Sequence, residues 1–175
     1  MFRDLILICI VLPCAVAFSQ VPTYAQQYTQ RLGGAVSELE RSVAEYQALA
    51  ARQNMTLTEF VDSLQGNAQV EDTKAVILGQ AERLRRMRAD LASLSDLDWR
   101  PQSLIPRLNR FGHRDVQTGT WEAFQPALPV TLAGAMWLGL GVLFGLLIAG
   151  VLRALSRLLF GPRRARLGGP PPGRG

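Results

Sequence analysis

The chain has 175 residues, of which 48% are hydrophobic and 19% are charged, and its formal net charge is +5. One ordinary domain fits this length, but the hydrophobic fraction and the positive mean hydropathy point first to membrane segments. The single histidine, His113, is expected in a loop and excludes a histidine-based metal site or charge-relay pair within one chain.

The first apolar segment, Leu5 to Phe18, has two interpretations. Its 14 uncharged residues suit a signal-peptide core, and Ala15 and Ala17 form a small-residue cleavage site. Alternatively, a helix that continues to Tyr24 reaches about 20 residues, or roughly 30 Å, and spans a bilayer. Because the charged region before the segment is short and contains an acid, the sequence favours a retained anchor over residues 1–24.

The second apolar segment, residues 128–152, is long enough to cross a bilayer. It carries no charge and exceeds the roughly 20 apolar residues that a spanning helix needs, so a transmembrane helix is predicted from Val130 to Leu152. Residues 153–175 form a basic tail, whose Gly- and Pro-rich end is expected to be disordered. The positive-inside rule places this tail in the cytoplasm, with both termini there if the first helix is retained, and residues 25–127 in the periplasm.

The basic tail also bears on nucleic-acid binding. Its six arginines follow the membrane segment directly and lack the interleaved aromatic residues that stack on bases. Topology and attraction to anionic lipid headgroups explain these arginines. No nucleic-acid partner is therefore expected.

Heptad-like apolar spacing predicts two long helices in the central segment. The first stripe consists of Leu32, Val36, Leu39, Val43, Tyr46 and Ala50. The second consists of Val70, Ile77, Leu84, Met87, Leu91 and Leu94. Their matching lengths predict an antiparallel, coiled-coil-like hairpin with these residues as its core. Between them, Thr56 and Glu59 stand in a capping-box relation at the start of a short helix over the tip.

Two adjacent glycines, Gly33 and Gly34, interrupt the first long helix. Each costs about 1 kcal/mol relative to Ala within a helix. We expect them to form a flat patch on which Trp121 and Phe124 pack, because the two pairs lie at similar distances from the predicted membrane edges. The alternative is a simple kink between the membrane helix and the hairpin. The Trp121 region is broken by Pro and Gly but is too apolar for a free linker, so it would fold against the hairpin base or lie among headgroups.

Two runs of the sequence carry a resemblance to a known family. They are "VPTYAQQYTQRLGG", Val21 to Gly34, and "TWEAFQPALPVTLAG", Thr120 to Gly134. They resemble an uncharacterised family of small proteobacterial inner-membrane proteins, a domain of unknown function with a QQY-x-QRLGG motif. The resemblance covers nearly the whole chain up to the second membrane helix. It implies a membrane location and an intact first helix, and it implies no activity, substrate or catalytic residue.

Small residues in the second apolar segment predict close helix packing. Gly141, Gly145 and Ala149 form a small-xxx-small ladder that lets another helix approach. The neighbour would be either the first membrane helix or a second copy of the chain, which leaves a homo-oligomer open.

A basic cluster on the second long helix has two interpretations. The cluster comprises Arg83, Arg85, Arg86 and Arg88. These side chains could contact an acidic partner or lipid headgroups. Alternatively, they form the charged flank of a packed stripe, as is common on solvated helix faces.

Taken together, the sequence predicts an all-α bacterial inner-membrane protein with transmembrane helices near both ends and a membrane-anchored antiparallel helical hairpin. We expect a non-catalytic scaffold or accessory subunit, because a long hairpin offers contact surface without a convergent set of reactive groups. A lipid-interacting or stress-sensing element, and a component of a membrane-bound enzyme or transporter, are the alternatives. No enzymatic activity, cofactor, metal or small-molecule substrate is expected. The expected partners are the membrane and an envelope protein.

Overall fold

The chain is all-helical, as predicted, in a computed structural model that describes residues 2–128 and 130–160. Its helices are α1 (Phe2–Ser19), α2 (Val21–Arg52), α3 (Leu57–Ser63), α4 (Ala68–Ser95), α5 (Pro101–Leu104), a 3-10 helix (Ile105–Phe111), α6 (Arg114–Glu122) and α7 (Leu132–Phe160). Within the described ranges there is no strand. The predicted disorder of the tail concerns residues that lie outside these ranges.

A one-residue break separates α1 from α2. Helix α1 continues through Pro13 and ends at Ser19, and Gln20 forms a turn before α2 begins at Val21. Pro22 lies in the first turn of α2, where its missing N–H removes the helical bond that would have continued α1. The regular helical hydrogen bonding is therefore interrupted at Gln20, whose backbone stays in the right-handed helical region, and α2 runs unbroken through the two adjacent glycines.

Helices α1 and α7 pack along each other over most of the length of α1. Gly141 lies against Cys14 and Ala15, whereas Gly145 lies against Val11. Because the partner numbers fall as the α7 numbers rise, the two helices run in opposite directions. Both are long and apolar enough to cross a membrane by length and composition.

Helix α7 is longer than the apolar run predicts. It begins at Leu132 and ends at Phe160, whereas the sequence predicted a helix from Val130 to Leu152. Arg153 and Arg157 do not end it, since Arg is among the better helix formers.

The central segment is built on contacts between α2 and α4. Its core lies along the predicted stripes. Buried in the main cluster are Leu32, Val36, Val43, Leu84, Met87 and Leu94, with Leu39 and Leu91 partly buried against them. A smaller cluster at the far end joins Ala50 of α2 and Ile77 of α4 to Phe60 and Val61 of α3, and Tyr46 packs on it. The two clusters form one apolar seam.

The capping box predicted at α3 is confirmed. The backbone N–H of Glu59 donates to the Thr56 hydroxyl at 3.3 Å, and the backbone N–H of Thr56 donates to the Glu59 carboxylate at 2.8 Å. Hydrogen bonds from Thr56 lower the pKa of the Glu59 carboxyl. The reciprocal pair satisfies two N–H groups that the first turn of α3 would leave without partners.

The segment after α4 folds back onto α2 and α7. Val116 of α6 joins the main core, and Leu104 of α5 is buried with Ala25 and Trp137. Trp99 adopts a left-handed conformation with φ of 58°, which is unusual for a bulky residue. Its carbonyl accepts a hydrogen bond of 2.9 Å from the Trp137 indole N–H. This bond ties the end of α4 to α7.

Candidate functional site

The two sequence runs that carry the family resemblance meet in space at the start of α2. The ring of Tyr24 lies 6.3 Å from that of Trp121 and 6.0 Å from that of Phe124, between centroids. Trp121 and Phe124 stack on each other at 6.3 Å. An apolar groove of about 330 Å³ opens beside these three rings. We call this region the junction, because it joins the α1–α7 pair to the central segment.

Gln27 of α2 and Gln20, the residue just before α2, hold the non-helical segment that follows α6. The side-chain amide of Gln27 donates to the carbonyl of Gln125 at 2.8 Å and accepts from its N–H at 3.2 Å. Gln20 does the same with Ala127, at 3.2 Å and 3.1 Å. Pro126, which has no N–H, falls between the two clamped residues. Each amide thus satisfies both backbone groups of one residue, as a neighbouring strand would.

An arginine continues the same face of α2. Gln20, Tyr24, Gln27 and Arg31 are spaced by four, three and four residues, which places them in one stripe on a helix. The guanidinium of Arg31 lies over Gly119 of α6, where an added Cβ would meet it at 2.6 Å. Glycine at this position therefore allows Arg31 to lie flat against α6.

The structure corrects the predicted role of Gly33 and Gly34. An added Cβ at Gly34 would meet nothing within 4 Å, and one at Gly33 would meet only the side chain of Leu91, at 3.9 Å. Trp121 and Phe124 contact Tyr24, more than two turns earlier on α2. The predicted flat patch was wrong, because the segment from Gly119 to Ala127 lies beside Arg31, Gln27 and Gln20 in turn and so meets the chain before Gly33 and Gly34. Helix α2 runs through both positions, so the two glycines do not end or divide it.

An ion-pair cluster lies above the junction. Asp90 of α4 accepts a hydrogen bond from Arg110 at 2.9 Å and lies 3.0 Å from Nε2 of His113. The hydroxyl of Tyr28, on a fully buried ring, donates to the carbonyl of Arg110 at 3.4 Å. The ring packs on Phe111 with centroids 4.6 Å apart. His113 does lie in a loop, and its role here is to fasten that loop to α4.

Burial raises the pKa of Tyr28 from 10.0 to about 12, which predicts a loss of stability in alkali. The folded state holds the phenolic proton more tightly than the unfolded chain, so this contribution is complete below pH 10 and is lost as the pH rises towards 12. We expect the melting temperature of the full chain to fall more steeply over this range than that of Tyr28→Phe. Parallel slopes in circular dichroism melts would contradict the assignment.

Three of the predicted cluster arginines form exposed ion pairs along or across α4. Arg85 and Arg86 both bind Glu82, at 2.8 Å and 3.0 Å. The hydrogen bond from Arg85, with the charges of both arginines, lowers the pKa of Glu82 to about 2. Arg88 instead reaches Glu40 on α2 at 2.7 Å. These pairs are accessible to solvent, and such pairs contribute little to stability.

The fourth arginine of the cluster faces a different side of the helix pair. Arg83 binds Asp115 of α6 at 2.5 Å, beside a polar groove that also contains Gln80. The cluster therefore has two parts. Arg83 forms an ion pair with α6, whereas Arg85, Arg86 and Arg88 form ion pairs along or across α4.

A second groove of about 400 Å³ runs between α2 and α4, and α6 contributes no residue to it. It is lined by Val43, Gln47, Ala81, Leu84, Arg85, Arg88, Ala89 and Ala92. The alanines leave the floor shallow, and Arg85 and Arg88 supply positive charge. We call this surface the α2–α4 groove.

The ladder of small residues in α7 lies against α1. An added Cβ at Gly141 would lie 2.6 Å from the Cys14 carbonyl oxygen, and one at Gly145 would lie 2.8 Å from the Cα of Val11. Ala149 lines a groove next to Ile6 and Ile10. All three residues of the ladder thus lie on the face of α7 that contacts α1.

The described residues contain no group of three or more His, Cys, Asp or Glu side chains placed to hold a metal ion. The Asp90 cluster joins an acid to His113 and Arg110.

Comparison with known protein families identifies the chain. A model described as a protein of unknown function, DUF2937, matches residues 2–165. The chain belongs to the DUF2937 family. The match includes α1, the junction and α7, so the DUF2937 domain comprises the helix pair as well as the central segment. No curated protein and no solved structure matches this DUF2937 chain.

Several residues that build the junction were not predicted from the sequence. They are Gln20, Gln27 and the contacting pair Arg31 and Gly119. The regular spacing of Gln20, Tyr24, Gln27 and Arg31 could have indicated them. That spacing indicates a helix face that is mostly polar and aromatic. A face exposed only to solvent would carry mostly charged side chains. The Asp90–His113 contact had no comparable signal, since it depends on how the loop after α5 folds back.

Proposed function

We propose that the chain is a non-catalytic scaffold of the bacterial inner membrane, whose central segment binds an envelope protein through the α2–α4 groove. Large apolar side chains on the outer faces of α1 and α7 support a membrane location. Among them, Leu12 is 59% exposed and Leu147 is 63% exposed. Soluble monomers rarely expose contiguous apolar surface on this scale, and a lipid environment would cover it.

The arrangement of α1 and α7 supports a topology with both termini on the cytoplasmic side. Antiparallel helices place Phe2 and the end of α7 at the same end of the pair, with Arg153 and Arg157 close to that end. The positive-inside rule assigns that end to the cytoplasm. Residues 25–127 then lie in the periplasm, where α2 and α4 form the antiparallel hairpin.

The contacts at the junction are evidence that the hairpin is held rigidly at its base. The hydrogen bonds of Gln27 and Gln20 and the ring of Tyr24 hold the chain that leads from α6 to α7. The Trp137–Trp99 bond joins α7 itself to the segment after α4. Helix α2, at 32 residues, extends about 48 Å. A helix of this length held at its base carries a contact surface well away from the bilayer, as a scaffold requires.

The open α2–α4 groove carries the proposal. Ala81, Ala89 and Ala92 line the α4 side of the groove, where a third helix could approach closely, and Ala89 and Ala92 are exposed. Arg85 and Arg88 face the same groove and favour acidic side chains in the partner. An amphipathic helix with small or apolar contacts and acidic flanks fits these features.

Paired variants of the full chain in mild detergent test this proposal. We expect Ala89→Leu to fill the groove and Arg85→Glu to repel an acidic partner, so each reduces partner recovery by at least about fivefold, or about 1 kcal/mol. The readout is quantitative mass spectrometry after cross-linking and purification.

Matched variants outside the groove control for folding and general charge. Ala75→Leu lies on the exposed part of α4, and Arg86→Glu removes a neighbouring arginine that does not line the groove. Both should recover the partner at the level of the unmodified chain. Equal losses in all four variants, or no loss in any, would overturn docking at this surface.

The junction favours a second candidate, a lipid-interacting element. Trp121 is 71% exposed, Leu128 is 84% exposed and Val130 is 87% exposed, at the level where α7 begins. Aromatic and apolar side chains at that level suit the headgroup boundary. This candidate would be favoured over the scaffold if the purified chain carried phospholipid but no protein whose recovery depends on the α2–α4 groove.

A further inference from the structure

A groove opens between α1 and α7 at the end of the pair that carries the chain termini. Its volume is about 330 Å³. It is lined by Ile6, Leu7, Ile10, Ala149, Leu152, Arg153 and Ser156. The small side chain of Ala149 keeps the helices from filling this space. The groove is therefore apolar along its length and polar at one end.

The polar end of the groove carries a cation. Arg153 is the first charged residue after the apolar run of α7, and in the described part of the chain its guanidinium has no hydrogen bond or ion pair. The Ser156 hydroxyl donates to the Arg153 carbonyl at 2.9 Å and can still accept a bond. Asp4 lies near the start of α1, but Arg157 adds a second positive charge one turn beyond Arg153. The local balance is positive.

We infer that this groove binds an anionic phospholipid of the inner leaflet, with an acyl chain along Ile6, Ile10 and Ala149 and the phosphate at Arg153. The inference rests on the proposed membrane orientation and extends it to a specific ligand. Apolar walls match the acyl chain, and the guanidinium is complementary to the phosphate in charge and in hydrogen-bond geometry. Basic pockets between membrane helices on the cytoplasmic side have this character in general.

The groove geometry distinguishes a lipid from free phosphate. One exposed guanidinium and one hydroxyl make a weak site for a small anion in water. The apolar walls supply further affinity only to a ligand that has a hydrocarbon chain, since each CH₂ group buried away from water adds to the affinity. The phospholipid therefore depends on both parts of the groove at once.

Lipid titration of the full chain tests the inference. We expect dioleoyl phosphatidylglycerol to bind the purified chain in mild detergent, and inorganic phosphate alone not to bind, as counted by native mass spectrometry. Arg153→Gln should weaken phosphatidylglycerol binding about fivefold, the effect of one cation near a phosphate. Ala149→Leu should reduce it further by filling the groove.

Neighbouring variants and a zwitterionic lipid provide the controls. Arg157→Gln removes a charge of the same kind that does not line the groove, and Gly150→Leu adds the same side chain at a position with open space around it. Gly150→Leu should bind phosphatidylglycerol like the unmodified chain, and Arg157→Gln should lose much less binding than Arg153→Gln. Equal losses for Arg153→Gln and Arg157→Gln, or equal binding of phosphatidylcholine, would overturn the inference.

The lipid test is separable from the scaffold proposal. Partner recovery depends on Arg85 and Ala89 on the central segment, whereas lipid binding depends on Arg153 and Ala149. Retention of the chain in membranes after alkaline carbonate treatment reports the membrane location by itself. Release by carbonate would overturn the membrane location and the lipid site together, and retention with no lipid bound would overturn only the lipid site.

Discussion

Alanine at Gly141 should weaken the α1–α7 pair, whereas alanine at Gly139, two residues earlier, should strengthen α7. A Cβ at Gly141 would lie 2.6 Å from the Cys14 carbonyl oxygen and 2.7 Å from the Ala15 Cα. Both are backbone atoms, so the helices must separate to admit the methyl group. Overpacking of this kind costs about 1–3 kcal/mol.

The Gly139 control has the opposite expected sign. An added Cβ there meets nothing within 4 Å, so Gly139→Ala only gains helix propensity, about 0.5–1 kcal/mol. The measurement is the unfolding free energy of the full chain in mild detergent, titrated with dodecyl sulfate. Tryptophan fluorescence follows the transition, because Trp137 is buried between α7 and the central segment.

Effects of the same sign at both glycines would contradict the close approach. Gly145→Ala offers a repeat of the test, since its Cβ would lie 2.8 Å from the Val11 Cα. A loss of stability at both Gly141 and Gly145 locates the contact along one face of α7.

Apolar periodicity made the central segment largely predictable. Alternation of apolar positions by three and four residues specifies which face of a helix is buried, and two matched stripes can be satisfied by each other. Leu32 and Met87 are buried where their stripes placed them. The capping box at Thr56 was equally local, because both of its hydrogen bonds lie within four residues.

The junction was not predictable from the same signals. Its contacts join residues that are about a hundred positions apart, such as Gln27 and Gln125, and its hydrogen bonds each join a side-chain amide to a backbone group. Such polar pairs have no periodicity of their own. They follow only once the path of the chain after α6 is known.

The glycines show which kind of contact a sequence pattern does not predict. Gly33 and Gly34, adjacent and conspicuous in the sequence, lie in open or ordinary surroundings, whereas Gly119 lies directly beneath the Arg31 guanidinium. A sequence shows where Cβ atoms are missing. Tertiary packing decides at which of those positions another atom fills the space. That packing depends on both of the elements in contact.

Removing side-chain volume at Leu32 should destabilise the central segment more strongly than the same change at Leu49. Leu32 is 0% exposed and packs in the cluster that joins α2 to α4, whereas Leu49 on the same helix is 43% exposed. We expect Leu32→Ala to cost about 2–5 kcal/mol, since it loses buried area and leaves a cavity. Leu49→Ala should change stability by no more than about 0.5 kcal/mol.

Both alanine variants keep the helix propensity of α2 high, so the difference between them isolates burial. It should appear as different losses in unfolding free energy in urea, with the full chain held in mild detergent and followed by circular dichroism. Because Met87 is also fully buried in the same cluster, Met87→Ala should fall in the range of Leu32→Ala. If Leu32→Ala lowered the unfolding free energy no more than Leu49→Ala, α2 and α4 would not share a packed core. The proposal that this helix pair forms a rigid α2–α4 groove would then be contradicted.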